Sequence, residues 1–562
     1  RRREGVTAAG RAAADAGAET GSRPAARASF AAEVALGAVM LAFEGTTLPG
    51  DVAARLATAP SAGVTLFRFA NVTTPSQVRE LTDAIRASSQ VPPLIGADQE
   101  GGQFLALGDG TTAFPGNMAL GAAGDPALTE RVGRAIGLEC RALGVNLVFG
   151  PVCDLASNPR NPAIGIRSFG DDPAAVGEHV GALVRGLQSA GVAAALKHFP
   201  GLGDVADDSH HGLPVLARDA ATLASRELVP FRAGIDAGAR VVMSAHLALP
   251  ALTGSPTLPA TLSRQVMTAL LRDELAFDGV TITDALDMRA LDQGPNQILD
   301  VLAALAAGVD LLLTAPDPIA RARIEAGLAH AAALGLLDAA ERDRAAARVD
   351  ALRRWLAPFD RPSLDVVGSS GHRELAADAA ARSLTLVRDD DGLLPLRLRP
   401  GARIAAIQTE PTDQTPADTS STVRPGLAAA LRDRFCGVDE HVVAHSPSAA
   451  EIAAVREAIR DHDAIVVGTT AAMLEPSQAR LVDAVLSLDR PTVTVALRTP
   501  FDLAAYPAAR CHVAAYGILP PTLAAVADGL AGVKGFPGRL PAAVPGLLPT
   551  GHALGGRAVA RR

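Results

Sequence analysis

The sequence predicts an α/β protein with a (β/α)8 TIM-type barrel followed by a smaller three-layer α/β sandwich domain. From about residue 34, short apolar stretches alternate with longer amphipathic ones, the pattern of parallel strands joined by crossover helices. Eight strand candidates fall within roughly 320 residues, as a barrel requires, and the alternation resumes after a region rich in Pro and Gly. We therefore predict a disordered tail (1–29), a catalytic barrel (30–356), a linker (357–373) and a sandwich domain (374–556).

The predicted barrel strands are short apolar runs, and most are separated by helix-like segments. The strands are residues 36–43, 63–69, 94–97, 145–149, 192–196, 240–244, 280–283 and 309–313. The helix-like segments include 125–143, 172–190, 219–237 and 264–275. The second domain has strand candidates at 404–408, 441–444, 464–468, 492–497 and 513–516. No Gly-x-Gly-x-x-Gly or Walker-type loop follows these last strands, so nucleotide binding there is not expected.

Composition excludes several classes of function. The net charge is −8 and no basic stripe occurs, which argues against a nucleic-acid partner. Although 48% of the 562 residues are hydrophobic, no apolar run approaches the roughly 18 to 20 residues that cross a bilayer. The four cysteines lack zinc-site or disulfide spacing, and the first 28 residues lack a signal-peptide core. We therefore expect a cytoplasmic protein that acts on a small molecule and binds no membrane.

Ionisable residues recur just past the carboxyl ends of the predicted barrel strands, which is where barrel enzymes carry their active sites. Five successive strands, the third to the seventh, are followed by such residues, so chance placement at strand ends is a poor explanation. The residues are Asp98, Glu100, Asp154, Lys197, His198, His246 and Asp284.

Asp284 directly follows an apolar strand, so its carboxylate could face the barrel axis and attack an anomeric carbon. The alternative is that Asp284 caps the next helix, which is also the better explanation for Asp287. In the loop after the fifth strand, Asp208 and His210 are spaced so that the carboxylate can fix the imidazole tautomer, as in other acid/base pairs.

A metal site is the rival interpretation of that loop. Its ligands would be His198, Asp204, Asp208, His210 and His211. The sequence disfavours this site, because adjacent histidines rarely both point inward and no metal-binding spacing such as His-Glu-x-x-His is present.

Two further segments indicate a ligand site only when they are considered together with the other motifs. Asp98-Gln-Glu-Gly-Gly102 places a carboxylate beside two glycines, so the backbone can approach a ligand while the carboxylate accepts bonds from hydroxyl groups. Arg167 lies on a predicted loop, where an arginine alone more often forms a surface salt bridge.

Taken together, the motifs resemble glycoside hydrolase family 3, specifically its β-N-acetylglucosaminidase branch. The resemblance extends from about residue 35 to 355 and returns near residues 535–552. The motifs are Asp98-Gln-Glu-Gly-Gly102, Phe114-Pro-Gly-Asn-Met-Ala-Leu-Gly121, Pro151-Val-Cys-Asp154, Asn158-Pro-Arg-Asn-Pro162, Ile164-Gly-Ile-Arg-Ser-Phe-Gly170, Lys197-His-Phe-Pro-Gly201, Asp208-Ser-His210, Thr283-Asp-Ala-Leu286 and Gly535-Phe-Pro-Gly-Arg-Leu-Pro541 with Gly551-His552.

The resemblance implies a retaining β-N-acetylhexosaminidase that needs no metal or cofactor. Asp284 matches the nucleophile, and His210 with Asp208 matches the acid/base dyad. The residues that match the sugar-binding positions, or lie next to them at the barrel mouth, are Asp98, Arg167, Lys197, His198 and His246.

The sequence departs from the branch at three positions. Gln103 and Ala106 stand where arginines are common, and Leu202 stands where His is usual. Fewer cationic donors could shift recognition from cell-wall (peptidoglycan) fragments towards simpler β-glucosaminides or β-glucosides.

Three other functions stay open at the level of sequence. A glycoside phosphorylase would use inorganic phosphate in place of water, which a histidine acid/base repels less than a carboxylate would. A β-glucosidase would differ only in the sugar that it accepts. A non-catalytic sugar-binding protein would not need the nucleophile and the dyad.

Overall fold

The computed structural model describes residues 36–58, 61–206, 208–416 and 418–555. The segment predicted as a tail (1–29) lies outside the described residues. The described chain contains one eight-stranded parallel sheet and one six-stranded mixed sheet, and each has its own apolar packing. Both parts of the predicted fold class are therefore confirmed.

The eight parallel strands form a barrel in which they follow chain order. Hydrogen bonding joins β8 to β1 and then each strand to the next as far as β7. A bridge between Ile282 and Leu311 links β7 to the residue just before β8, which closes the ring. The strands are β1 (Val39–Leu41), β2 (Gly63–Thr65), β3 (Leu94–Ala97), β4 (Leu147–Val148), β5 (Ala193–Phe199), β6 (Val241–Ser244), β7 (Val280–Thr283) and β8 (Leu312–Leu313).

Helices surround the barrel, and aspartates fix the start of several of them. Asp125 and Asp172 accept hydrogen bonds from backbone N–H groups of the first turn, and each precedes a proline at the first helical position. Both helices therefore begin where the sequence predicts. The barrel helices are Gly50–Thr58, Arg68–Asn71, Pro75–Ser88, Asn117–Ala123, Pro126–Leu143, Pro173–Ser189, Ala220–Ser225, Leu228–Asp236, Pro250–Thr253, the π-helix Gln265–Glu274, Gln297–Ala307, Pro318–Ala333 and Ala339–Leu356.

Several predicted bounds need correction. The strand predicted at 63–69 ends at Thr65, because Asn71 accepts a hydrogen bond from the Phe67 N–H and stabilises a short helix there. The strand predicted at 192–196 continues to Phe199. The helix predicted at 219–237 is two helices with a break near Arg226. Pro230 has no N–H that could donate to the Arg226 carbonyl, so the first helix does not continue through this point.

The barrel interior is filled with apolar side chains. Alternate strand residues such as Met40, Leu94 and Leu147 point inward, and they pack with Val349 and Leu352 of the helix Ala339–Leu356. The interior is therefore a packed core, so chemistry must take place at a mouth of the barrel.

The segment between the two sheets is attached to the barrel. Arg141 donates hydrogen bonds to the carbonyls of Leu356, Phe359 and Asp360. The helix Ser370–Ser383 begins inside the range predicted as a linker, and its Ala376 belongs to the apolar cluster of the barrel.

The second domain is a six-stranded sheet with apolar clusters on both faces. The strand order is β9–β14–β13–β12–β10–β11, and only the β9–β14 pair is antiparallel. The sequence did not predict the edge strand β9. The strands are β9 (Thr385–Asp389), β10 (Ile404–Thr409), β11 (Val438–Val443), β12 (Ala464–Thr469), β13 (Thr492–Ala496) and β14 (Cys511–Ala514), with helices Leu427–Arg432, Ala449–Ile459, Pro476–Leu486 and Pro520–Leu530.

A search of the described residues found no helix with the length and apolar character needed to span a bilayer.

Candidate active site

The ionisable residues predicted at strand ends gather at the carboxyl-terminal mouth of the barrel. Asp98 and Glu100 follow β3, and Asp154 follows β4. Lys197 and His198 lie near the carboxyl end of β5 itself, while His246 and Asp284 follow β6 and β7. Parallel strands bring these positions to one side of the barrel, as the sequence predicts.

A buried charge cluster lies beside β3 and β5. The Lys197 ammonium is 1% exposed and contacts Asp98 at 2.6 Å and Glu100 at 2.5 Å. Arg167 donates two hydrogen bonds to Glu100, of 2.7 and 3.0 Å. The Asp98 side chain is 28% exposed, so it is the carboxylate of this cluster that a sugar hydroxyl can reach.

The cluster keeps its members ionised. Burial alone would raise the pKa of Glu100, but the charges of Arg167 and Lys197 lower this pKa to about 2. Burial opposes the charged forms of Lys197 and Arg167, yet the neighbouring carboxylates raise the pKa of both side chains. Glu100, Arg167 and Lys197 thus keep one another charged in a buried site.

The guanidinium of Arg167 is held on several sides. Its residue ends a short 3-10 turn, Gly165–Arg167, and its own carbonyl accepts a hydrogen bond of 2.8 Å from Asn117. The guanidinium donates to the carbonyl of Ala163 at 3.0 Å and lies over the ring of Phe104, 4.7 Å from its centroid. These contacts fix the orientation of the group towards Glu100.

His198 is oriented by Asp154. The Nδ1 of His198 lies 2.7 Å from a carboxylate oxygen of Asp154, and its Nε2 lies 3.4 Å from the Arg167 guanidinium. Because a guanidinium only donates, Nε2 accepts and the proton stays on Nδ1, facing Asp154. Asp154 therefore sets the tautomer of His198.

The contacts of Leu202 show why a leucine can stand where the family pattern usually has a histidine. Its backbone N–H donates to Asp154 at 2.6 Å, so the backbone at this position supports the site. Its side chain is buried in the apolar cluster of the barrel. A leucine at this position can therefore support Asp154 without a polar side chain.

Asp284 is buried at the end of β7. Its Oδ1 accepts a hydrogen bond of 2.8 Å from the N–H of Ala285, and its own N–H donates to the Ser244 carbonyl of β6. Burial alone would raise the pKa of the Asp284 carboxyl, but His198, His246 and the Ala285 N–H favour the carboxylate and lower the pKa. The helix-capping alternative is wrong for Asp284 and Asp287, because the next helical turn begins only at Gly294.

Asp208 and His210 form a hydrogen-bonded pair. The Nδ1 of His210 lies 2.7 Å from Asp208 Oδ1, which also accepts the His210 backbone N–H at 2.9 Å. Burial would lower the pKa of His210, but the hydrogen bond and charge of Asp208 and the charge of Asp284 raise this pKa. The His210 side chain is 23% exposed, so its Nε2 is the atom available for proton transfer.

The loop that carries this pair is attached to the loop that follows Asp284. The Ser209 carbonyl accepts a hydrogen bond of 3.1 Å from the N–H of Ala290. The Ser209 hydroxyl donates to the Met288 sulfur at 3.7 Å. These contacts hold the Asp208–His210 pair near the carboxylate of Asp284.

His246 has no ring nitrogen left for a sugar. Its Nδ1 lies 2.8 Å from the Thr261 hydroxyl, and its Nε2 lies 3.2 Å from the Ala285 carbonyl. The side chain is buried and therefore supports the turn at Asp284 and Ala285. We correct its expected role from a sugar contact to a support of this turn.

Four of the five residues of the rival metal site have other side-chain partners, and the fifth, His211, is exposed. Asp204 pairs with Arg218 at 2.5 Å, His198 with Asp154, and His210 with Asp208. Across the described ranges, no three His, Cys, Asp or Glu side chains converge in a way that could hold a metal ion.

Three comparisons relate the chain to known proteins. The family model described as glycosyl hydrolase family 3 N terminal domain matches residues 33–352. Beta-hexosaminidase A of Pseudoalteromonas piscicida is 38% identical over 385 residues, 63% of this chain and 63% of that protein, so the chain spans less than two thirds of this relative's length. A beta-hexosaminidase of Chromobacterium violaceum is 36% identical over 361 residues, which are 63% of this chain and 96% of that protein.

A solved structure matches both domains. It is a glycoside hydrolase family 3 beta-N-acetylglucosaminidase from Paenibacillus sp. str. FPU-7, with 33% sequence identity and a TM-score of 0.86. The match covers 91% of this chain and 98% of that one. Because the family model also matches more than half of the sequence, the chain belongs to glycosyl hydrolase family 3.

Proposed function

We propose that the protein is a retaining exo-β-N-acetylglucosaminidase that removes terminal β-linked N-acetylglucosamine from small glycans, including cell-wall fragments. The observation that carries the proposal is the pairing of a buried, ionised Asp284 with the Asp208–His210 dyad on an adjoining loop. One group can attack carbon while the other moves a proton, as the two steps of a retaining mechanism require. The names of the relatives support N-acetylglucosamine as the sugar.

In the first step, a carboxylate oxygen of Asp284 bonds to the anomeric carbon as the glycosidic bond breaks. His210, protonated because Asp208 raises its pKa, gives its Nε2 proton to the departing oxygen. Asp208 remains ionised and stabilises the imidazolium until the transfer. The products of this step are the free aglycone and a glycosyl ester on Asp284.

In the second step, neutral His210 removes a proton from water, whose oxygen bonds to the anomeric carbon. The ester bond to Asp284 breaks and the carboxylate is restored, so the two inversions retain the β configuration. No metal is needed for either step, since the charges come from side chains.

The charge cluster would hold the terminal sugar. Asp98 can accept from sugar hydroxyls, while Lys197 and Arg167 supply donors that Glu100 keeps in place. His198 would line the sugar site, with its Nε2 accepting from the Arg167 guanidinium.

The test uses p-nitrophenyl β-N-acetylglucosaminide and the matching β-glucoside, each with and without inorganic phosphate. We expect p-nitrophenol and free N-acetylglucosamine from the first compound, and much less from the glucoside. Formation of a sugar 1-phosphate would indicate a phosphorylase, and preference for the glucoside would indicate a β-glucosidase.

Asp284→Asn should lose about 10³-fold or more of kcat. Asp287→Asn, three residues away in the same loop, is the matched control and should keep most of the parent activity. If the parent cleaves neither compound, or if Asp284→Asn behaves like the parent, the hydrolase proposal is wrong.

A further inference from the structure

We propose that the second domain positions Arg167, through Phe104 and Thr419, and thereby sets the affinity of the active site for its sugar. The inference rests on the proposed function, in which Arg167 contacts the sugar. It assigns the second domain a role at the active site, although the nucleophile and the acid/base pair all come from the barrel.

The first contact is Phe104, which belongs to a short antiparallel hairpin, Gln99–Gly101 with Phe104–Leu105. The hairpin also carries Glu100, the carboxylate that holds Arg167. Phe104 is buried and packs in an apolar cluster with residues of the second sheet such as Ile407 and Val467. Its ring therefore belongs to an apolar cluster that both domains share, and the guanidinium of Arg167 lies over its face.

The second contact is Thr419, on a loop of the second domain. Both its N–H and its hydroxyl donate to the carbonyl of Gln103, at 3.0 and 2.5 Å. The two residues are 316 positions apart in the chain. Thr419 thus fixes the turn of the hairpin between Glu100 and Phe104.

The loop that carries Thr419 is itself held firmly. The neighbouring Asp418 accepts a hydrogen bond of 2.7 Å from the buried Arg498 and one of 2.6 Å from Ser420. Arg498 also donates to Ser420 at 2.7 Å. The backbone that carries Thr419 is therefore held in one position.

The turn that carries Arg167 contacts the second domain as well. Ile166 is buried in the same apolar cluster as Phe104. A side chain built on Gly165 would lie 3.5 Å from the Thr499 methyl group, so the backbone there lies close to the second domain. Both partners of the Glu100–Arg167 pair are thus flanked by residues that pack against this domain.

The position of Gln103 agrees with this arrangement. Its side chain is 1% exposed, and the residue contacts the second domain through Thr419. The side-chain oxygen and nitrogen of Gln103 are buried without a hydrogen-bond partner among the described residues, so its backbone carbonyl is the atom that joins the two domains.

The experiment compares Phe104→Leu and Thr419→Val with a matched control, Thr550→Val. Thr550 also links the two domains, because its hydroxyl donates to the Asp171 carboxylate at 2.7 and 2.9 Å, but it does not belong to the hairpin or the Arg167 turn. Steady-state kinetics on p-nitrophenyl β-N-acetylglucosaminide, calorimetric binding of N-acetylglucosamine and Tm are measured for all three variants.

We expect KM to rise about 5- to 30-fold in Phe104→Leu, since a desolvated cation–π contact is lost. In Thr419→Val we expect KM to rise about 2- to 10-fold, which corresponds to the loss of one hydrogen bond. The affinity for N-acetylglucosamine should fall in parallel, whereas kcat should change by less than about threefold because Asp284 and His210 lie on other loops. Thr550→Val should lower Tm about as much as Thr419→Val and leave KM unchanged.

Unchanged KM and sugar affinity in Phe104→Leu and Thr419→Val would overturn the inference, as would an equal rise of KM in Thr550→Val. A parent protein that releases no sugar would instead overturn the proposed function, so the two failures can be told apart.

Discussion

Replacing Glu100 with glutamine should destabilise the barrel, because this side chain is the acceptor shared by Arg167 and Lys197. The change keeps the shape of the residue but removes its charge. Two buried cations would then share Asp98 and a neutral amide whose NH2 group cannot accept a hydrogen bond.

The magnitude follows from the pKa of Glu100, which is lowered from 4.5 to about 2 in the folded protein. At about 1.4 kcal/mol per pH unit, the ionised group contributes about 3 kcal/mol to the free energy of unfolding at neutral pH. Because the folded-state pKa is the lower one, this contribution is complete above pH 4.5 and is lost as the pH falls towards 2.

The measurement is thermal unfolding of the parent and of Glu100→Gln from pH 7 to pH 3. We expect the variant to melt about 5 °C below the parent at pH 7. The difference should shrink to less than about half at pH 3, where the unfolded glutamate is already protonated. The control is Glu130→Gln, which removes a half-exposed ion pair with Arg185 and should cost less than about 1 kcal/mol.

A difference in Tm that stays constant from pH 7 to pH 3 would refute this reasoning. So would a loss at pH 7 no larger than that of Glu130→Gln. Either result would mean that the charge of Glu100 does not hold the cluster together.

Two other side chains give predictions through their pKa. Asp208→Asn removes the charge, and weakens the hydrogen bond, that raise the pKa of His210, so the alkaline limb of the kcat/KM profile should move to lower pH. An unmoved limb would exclude His210 as the acid. Glu227 is buried, neither of its carboxylate oxygens has a hydrogen-bond partner among the described residues, and burial raises its pKa. Its ionisation therefore opposes folding as the pH rises above the ordinary glutamate range, and Glu227→Met should stabilise the protein by about 1–2 kcal/mol at pH 7, seen as a higher Tm; a lower Tm would show that the carboxylate has a favourable role.

The sequence was most informative where chemistry coincides with a strand end. Alternating apolar and amphipathic segments predict the barrel, and parallel strands must deliver Asp98, Lys197 and Asp284 to one mouth. The pairing of Asp208 with His210 is also local, because they are two positions apart and one loop carries both. These predictions depend only on short-range patterns in the sequence and on the geometry of the fold.

Other features depend on contacts between distant parts of the chain, which a single sequence does not reveal. Glu100 is visible as a polar residue after β3, but its role requires that Arg167 and Lys197 reach it. Thr419 gives no sequence signal at all, since only the packing of the two domains brings it to Gln103. His246 has the right position for a sugar contact, yet local hydrogen bonds use both of its nitrogens.

The segment that returns from the second sheet to the barrel has a consequence for biosynthesis. Pro541 accepts the N–H of Asp171, and Ala543 and Thr550 donate to the carboxylate of Asp171, close in sequence to Arg167. Ala543 leaves the ribosome 372 residues after Asp171, which is about 20 to 75 s of translation. The barrel strands can pair during this interval, but the contacts of Asp171 with the second domain form only when residues 541–550 arrive. Nascent chains stalled before this segment should therefore have a folded barrel in which Asp171 still lacks its partners from residues 541–550.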